Sequence, residues 1–219
     1  MRSNFKSREQ EAADQGRQSF IEAARRAQII ECAIDAIAEL GFAQTSLAQI
    51  AKRAGISTGV ISYYFAGKDD LIAAVAAHVY AVGEAHIDPL VSRERGLRSA
   101  LLSFIDASVD FIAAKPRYPM AIMNIVRAGR AEGGKPRFDP AVGARRQDAF
   151  QQILTHGQET GEFRPFDVHV MTMTIIESLD VIPQQLVDAP DLDLGAYATE
   201  LVTLFDLATR HPSFVGDAS

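Results

Sequence analysis

The feature that most constrains the fold of this chain is residues 46–68, which read as two short helices joined by a tight turn. Ser46 can cap the first helix through its hydroxyl, and apolar residues then follow at the i, i+3, i+4 spacing of one buried stripe. Gly55 suits the left-handed residue that ends a helix, and Ser57 can cap the second helix. The pattern predicts a helix-turn-helix.

The outward face of the second helix predicts contact with a nucleic acid. Val60, Ile61 and Tyr64 would face inward, which leaves small and hydroxyl-bearing residues on the other side. No Asp or Glu occurs in residues 46–68, so no carboxylate would repel phosphate there. The alternative is an ordinary helix pair around a glycine turn, because such pairs occur in many proteins that bind no DNA.

Residues 25–71 resemble the DNA-binding domain of TetR-family transcriptional regulators. The matching residues are Ile30, Ala33, Gly41, Phe42, Thr45, Ser46, Ile50, Ala51, Ala54, Gly55, Ile56, Ser57, Gly59, Tyr64, Phe65, Lys68 and Leu71. Within the family, the second helix is most similar to that of the choline-responsive repressors of the betaine pathway. The family usually has Tyr where Ser62 stands, so Tyr63 or Tyr64 is expected to make the contact normally made there.

The resemblance and the outward face together predict the residues that contact DNA. Thr45, Ser46, Tyr64 and Lys68 are expected to bind phosphates, together with the N-termini of the helices. Thr58, Gly59, Ser62 and Tyr63 are expected to meet base edges in the major groove. Because one short helix covers few base pairs, a two-fold dimer reading two half-sites is expected.

Charge is distributed unevenly along the chain. The net charge is −6, but residues 1–68 hold nine Lys and Arg against seven Asp and Glu, while residues 69–219 hold 13 against 21. A mildly basic reading domain and an acidic remainder fit a DNA-binding protein, although many acidic domains would look the same.

The single cysteine, Cys32, excludes an internal disulfide and fits a reducing cytoplasm. No apolar run reaches the length of a membrane span, and the N-terminus lacks the apolar core of a signal peptide.

The sequence predicts an all-α protein with an N-terminal three-helix DNA-binding domain and a C-terminal helical domain for ligand binding and dimerisation. Residues 1–18 are polar and predict a disordered arm. The head, residues 19–67, follows, and the body, residues 68–219, completes the chain. Apolar periodicity and Pro or Gly breakers predict body helices over residues 68–91, 97–114, 119–130, 140–160, 167–187 with a kink at Pro183, and 192–210. The resemblance implies that the first of these transmits ligand binding to the head.

The last two predicted helices carry more apolar residues than a single stripe needs. A helix that is apolar on two faces buries one face in its own core and the other against a partner, so we expect a homodimer through these helices. The alternative is a pair of fully buried core helices.

An effector cavity is expected between the helix that begins at Lys68 and the dimer helices. Its candidate lining residues are Phe104, Phe111, Met120, Met123, Asn124, Arg127, Phe150, His169, Met173 and Glu177. Phe and Met supply adaptable apolar walls, and the polar members would orient a small molecule. The alternative for each residue is plain core packing.

The sequence contains no nucleophile elbow, Walker loop, dinucleotide fingerprint or zinc-ligand spacing, so neither an enzyme nor a cofactor or metal site is predicted. Two hypotheses remain. The first is a ligand-responsive DNA-binding regulator, released from its operator by a small molecule. The second is a small-molecule-binding or protein-interaction bundle whose head no longer reads DNA.

Overall fold

The computed structural model describes residues 3–130 and 132–212, and within them the protein is helical, with a single isolated β-bridge between Phe163 and Arg210. The elements in chain order are α1 Ser3–Leu40, α2 Leu47–Ala54, α3 Thr58–Tyr64, α4 Lys68–Val91, α5 Leu97–Ala114, α6 Arg117–Arg127, a 3₁₀ turn Glu132–Gly134, α7 Ala141–Glu159, α8 Val168–Asp180, α9 Ile182–Asp188 and α10 Leu194–Thr209. The all-α prediction is therefore confirmed.

Local sequence signals fix the ends of α2 and α3. Ser46 and Gln49 form a reciprocal capping box at the start of α2. Gly55 ends α2 with φ of 67°, a left-handed conformation that glycine adopts without steric cost. Ser57 stands at the N-cap of α3, but its side chain makes no capping hydrogen bond. The predicted helix-turn-helix is confirmed. Of its two predicted side-chain caps, Ser46 caps α2, whereas Ser57 does not cap α3.

The first helix is longer than predicted. Residues 3–18, predicted to be a disordered arm, form the first turns of α1, while residues 1–2 lie outside the described residues. The prediction was wrong because it weighed the lack of apolar residues and ignored backbone preference. The segment contains no proline, and it is rich in the helix formers Ala, Glu, Gln and Arg. It also continues directly from a helix that packing stabilises.

Two apolar cores divide the molecule. The first joins α1, α2, α3 and the start of α4, and α6 completes it through Tyr118, Ala121 and Ile125. The second lies inside the body, where α5 packs between α4, α7, α8 and α10. Because α4 contributes Leu71 to the first core and Ile87 to the second, it links the head to the body as predicted.

The segment predicted as one helix over residues 167–187 is two helices. α8 ends at Asp180 and α9 begins at Ile182, with Pro183 early in the new helix, where its missing N–H is tolerated. α10 packs on α5 through buried Ala198 and Phe205. No helix within the described residues combines the length and apolar character that crossing a bilayer requires.

Candidate nucleic-acid interface and effector cavity

The exposed face of α3 has the composition that the sequence predicts. Thr58, Gly59 and Ser62 are exposed, and the Tyr63 side chain is 73% exposed. The Tyr63 ring stands edge-on against that of Tyr64, with centroids 5.0 Å apart, while Tyr64 packs against the first core. The Tyr63 ring is therefore exposed to water, and nothing in the packing of the fold requires that exposure. Its support from Tyr64 sets the direction in which the ring projects.

Gly59 is not required by the fold. Its φ is not positive, and among described atoms the only one that a Cβ here would approach within 4 Å is Ser57 Oγ, at 3.6 Å. Glycine within a helix is less favourable than alanine by roughly 0.5–1 kcal/mol, so this residue weakens α3 without a packing reason. The absent side chain leaves the α3 backbone open to close approach from outside.

Two residues predicted to bind phosphate have structural roles instead. Thr45 is only 2% exposed, and its hydroxyl donates to the carbonyls of Gly41 at 2.8 Å and Ala36 at 3.2 Å. Lys68 is half-buried, and its ammonium donates to the carbonyls of Phe42 at 3.1 Å and Thr45 at 2.5 Å. Both side chains hold the turn between α1 and α2, so the prediction that they grip DNA is corrected for Thr45 and weakened for Lys68.

The environment of Lys68 is unusual for a surface cation. Its Nζ lies 4.1 Å from the centroid of the Phe42 ring, and the Arg137 guanidinium stacks on the same ring at 4.3 Å. Burial, and next the nearby charge of Arg137, lower the pKa of the Lys68 ammonium. Arg137 comes from the segment between α6 and α7, and sequence reasoning did not single it out because the contact spans the two predicted domains.

Other polar groups surround the α3 face. Ser46 is exposed, and Lys52 is exposed near the end of α2. The Arg53 guanidinium is paired with Glu39 and is therefore not free to contact DNA. This hydrogen-bonded pair raises the pKa of the Arg53 guanidinium. Arg26 of α1 lies over the Phe65 ring, 4.9 Å from its centroid, and so beside the C-terminal end of α3. The surface around α3 is therefore polar and partly basic; Glu39 is paired with Arg53, and the Asp70 carboxylate at the start of α4 accepts from the Ala66 N–H just after α3.

A cavity of about 480 Å³ lies in the body, between α4 and the helices α5 to α9. Five of the predicted residues line it: Phe104, Phe111, Met123, Arg127 and Glu177. The other apolar lining residues include Val79, Gly83, Ile87, Ile112, Pro119, Ile122, Val126, Ala149 and Leu179. A cavity of this size with mostly apolar walls suits a small molecule.

The other five predicted residues do not line this cavity. Phe150 is fully buried against Phe104, with ring centroids 4.1 Å apart, so it supports the wall from behind. Asn124 faces α1, where its Nδ2 donates to the Ile37 carbonyl at 2.9 Å. His169 is exposed on α8. Met120 and Met173 are half-buried outside the lining. These five assignments are corrected, because the apolar pattern did not reveal which side of each helix faces the cavity.

Sequence reasoning missed several polar residues of the lining. Arg145 pairs with Glu84 at 3.0 Å, and Arg146 pairs with Asp180 at 2.7 Å. Tyr80 also lines the cavity, and burial raises the pKa of its hydroxyl. α7 has a weak apolar stripe, so its adjacent arginines looked like solvated surface. The signal that was available is that Arg145 and Arg146 follow Gly143, which lets α7 approach the Tyr80 ring.

Large apolar side chains remain exposed on the last helices. Val170 and Val181 lie on or beside α8, and Leu204 and Leu207 lie on α10, each between 42% and 60% exposed. A shallow groove on α10 runs past Leu201, Leu204 and Leu207. Exposed apolar side chains of this size are typical of an interaction surface.

Comparisons with known proteins identify the N-terminal domain. Residues 29–75 match the family model described as bacterial regulatory proteins, tetR family. The transcriptional regulator BetI of Burkholderia ambifaria is 39% identical over 87 residues, which make up 39% of this chain and 45% of BetI. The chain thus spans about half the length of the curated relatives it matches.

Solved structures extend the likeness to the fold of the body. The transcriptional regulator FadR of Bacillus subtilis, solved with stearoyl-CoA, has a TM-score of 0.73 at 22% identity, over 81% of this chain and 96% of FadR. AibR, solved with isovaleryl coenzyme A and operator DNA, has a TM-score of 0.71 at 17% identity, over 82% of this chain and 97% of AibR. The N-terminal domain therefore matches the TetR family model and resembles the corresponding part of BetI, and the chain shares its fold with FadR and AibR.

Proposed function

We propose that this protein is a ligand-responsive DNA-binding transcriptional regulator, a repressor that a small molecule releases from its operator. The observation that carries the proposal is the α3 face, where Tyr63 is exposed and Gly59 has no packing reason to be glycine. A protruding ring beside an open stretch of backbone suits insertion into a groove. The relatives named above are transcriptional regulators, which supports the same function.

In the proposed complex, α3 lies in the major groove. Thr58, Gly59, Ser62 and Tyr63 meet base edges, because they form the exposed face of the helix. Ser46 and the first backbone N–H groups of α2 bind phosphate, helped by the helix dipole. Exposed Lys52 adds a phosphate contact of the kind that salt weakens. Tyr64 braces Tyr63 from behind, and its hydroxyl remains a further candidate for phosphate.

Two copies of the chain are proposed to read two half-sites. The exposed apolar residues of α8 and α10 would be covered by the same surface of a second copy, in a two-fold interface. Burying these four side chains from each chain stabilises a dimer, since fully burying a Val or Leu contributes about 1.5–3 kcal/mol and these side chains are about half exposed. A symmetric pair of heads also explains how a helix as short as α3 could select one site.

The cavity is proposed to hold the effector. FadR was solved with stearoyl-CoA and AibR with isovaleryl coenzyme A, so proteins of this fold bind molecules with an apolar acyl part. The walls here suit such a part, and Arg127, Arg145 and Arg146 would bind an anionic end by exchanging their present partners Gln184, Glu84 and Asp180 for it. Glu177 also lines the cavity, and a cationic effector of the choline type would use it together with the faces of Phe104 and Phe111.

The proposed release follows from differential binding. The cavity is lined by Val79, Gly83 and Ile87 of α4, whose other end begins beside the turn that precedes α2. An effector that fits better when α4 is displaced shifts the population toward that state, and the two heads then no longer match the operator spacing. A hundredfold loss of operator affinity requires about 2.7 kcal/mol of such preference. Because chromosomal DNA is the target, the expected compartment is the cytoplasm.

Binding to DNA upstream of the protein's own gene tests the proposal. Labelled duplexes tiled across that region are titrated with the full chain, with an unrelated duplex as control. We expect one tile to form a saturable complex that contains two chains, at least a hundredfold tighter than the control. Equal weak binding to every tile, together with ligand binding in the cavity, would favour a helical bundle whose head no longer reads DNA.

A further inference from the structure

α6 separates the cavity from the head, with one face toward each. Its cavity face consists of Pro119, Ile122, Met123, Val126 and Arg127. Its other face packs along α1 and closes the first core with Tyr118, Ala121 and Ile125. Since these positions alternate at helical spacing, a molecule that pushes on one face of α6 displaces the side chains that hold the head.

Polar contacts fix α6 to α1 over most of its length. In chain order they join Arg117 to Asp35, the Tyr118 hydroxyl to Glu31 at 2.7 Å, and the Asn124 amide to the carbonyl of Ile37 at 2.9 Å. The two half-buried hydrogen bonds, from Tyr118 and Asn124, resist sliding, because a displaced partner leaves a polar group unpaired. α6 and α1 are therefore expected to move together.

Arg137 extends this attachment past the end of α6. Its Nε donates to the carbonyl of Gly129 at 3.0 Å, and its Nη2 donates to that of Arg130 at 3.2 Å. The same guanidinium stacks on the Phe42 ring, 4.3 Å from the centroid. One side chain thus joins the backbone just after the cavity-lining helix to the aromatic ring at the start of the turn before α2.

The turn that follows Phe42 in the sequence leads directly to α2 and the proposed DNA interface. Lys68 stacks on the same ring and holds the carbonyls of Phe42 and Thr45, and Ser46 then caps α2. A shift of Arg137 therefore changes the support of the turn whose last residue begins the phosphate-binding helix. A planar guanidinium with several fixed donors suits such a connection better than a flexible ammonium does.

We propose that Arg137 is a positioning residue that transmits occupancy of the cavity from α6 to the turn before α2, by a route that runs outside α4 and meets it only at Lys68. The proposal rests on the proposed function in one respect, since it takes the cavity as the effector site. Its test requires no DNA, so a failure to bind an operator and a failure of this connection give different results.

The test fills the cavity covalently and follows the turn by hydrogen exchange. Met123 lines the cavity, so the full chain carrying Met123→Cys and Cys32→Ala is labelled with N-ethylmaleimide, and amide exchange is compared before and after labelling. We expect the rates in residues 41–54 to change about fivefold or more on labelling. Adding Arg137→Lys, which keeps the positive charge and loses the forked donors, should remove most of that change.

The matched control is Arg130→Lys, because the Arg130 guanidinium bonds to Gly134 within the same loop. This control should leave the response of residues 41–54 intact, and the start of α4 should respond to labelling in every background. An equal response with Arg137→Lys would overturn the proposal, as would no response in the parent. Phe42→Leu is the second variant, which removes the ring and should abolish the response while Arg137 remains.

Discussion

Replacing Gly59 by alanine should make the protein more stable and a poorer binder of DNA. Gly59 lies at the second position of α3, its φ is not positive, and a Cβ there would meet Ser57 Oγ at an ordinary 3.6 Å. No steric contact therefore opposes the expected increase in the free energy of unfolding, roughly 0.5–1 kcal/mol when alanine replaces glycine in a helix. For a chain of this size the gain corresponds to a melting temperature about 1–4 °C higher.

The methyl group added at residue 59 should prevent the α3 backbone from approaching the major groove of the DNA closely. If it costs about 1 kcal/mol at each head, a dimer loses about 2 kcal/mol, or roughly thirtyfold in affinity. Thermal unfolding and fluorescence anisotropy on the same preparations measure the two effects. Gly195→Ala is the control for DNA affinity, because Gly195 holds the same second position in α10, away from α3; a Cβ there would lie 3.3 Å from the capping Asp193 Oδ1, so it is not a control for stability.

The two measurements together decide the argument. Greater stability with unchanged DNA affinity would show that the α3 backbone does not approach the duplex closely. Lower stability would show that Gly59 has a packing role, which the geometry around it does not contain. Only a higher melting temperature together with a lower affinity for DNA agrees with the proposal that Gly59 allows close contact between the α3 backbone and the duplex.

Four other changes test separate parts of the account. Thr45→Val should lower the free energy of unfolding by about 1–2 kcal/mol in urea titrations, because the carbonyls of Gly41 and Ala36 lose the one hydroxyl donor that they share, and the salt dependence of DNA binding should not change. Tyr63→Ala should leave the melting temperature unchanged and alter the preferred sequence in a selection from random duplexes; an unchanged preference would remove Tyr63 from the reading face. Burial, and next the hydrogen bond to Glu31, raise the pKa of Tyr118 to about 12, so the unfolded chain ionises first and stability should fall by up to ~3 kcal/mol between about pH 10 and 12. Tyr118→Phe should lack this decrease, and an identical pH profile would refute it. Leu204→Glu should convert a dimer to a monomer in analytical ultracentrifugation, and a persistent dimer would move the interface away from α10.

The short helices of the head could be predicted because their signals are local. The capping box at Ser46, the left-handed Gly55 and the inward stripe of α3 each depend on residues within one or two turns. Such signals also predicted that Tyr63 would be exposed. The same reasoning failed for residues 3–18, where helix propensity prevailed over polar composition.

The roles of Thr45, Lys68 and Asn124 could not be predicted, because each depends on a partner distant in the sequence. Thr45 is buried by the end of α1, and Lys68 reaches back more than 20 residues to two carbonyls. Asn124 lies on a helix with two buried sides, and periodicity cannot say which side meets the head and which meets the cavity. The Arg137 contact with Phe42 joins two segments that the sequence assigned to different domains.

The salt dependence of operator binding tests most directly the claim that a pair of α3 helices docks on a DNA duplex. With a phosphate neutralised by Lys52 of each head, the logarithm of the association constant should fall against the logarithm of salt concentration with a slope of about −2 or steeper. A slope shallower than about −1 would contradict a mode of binding that holds phosphates on both half-sites.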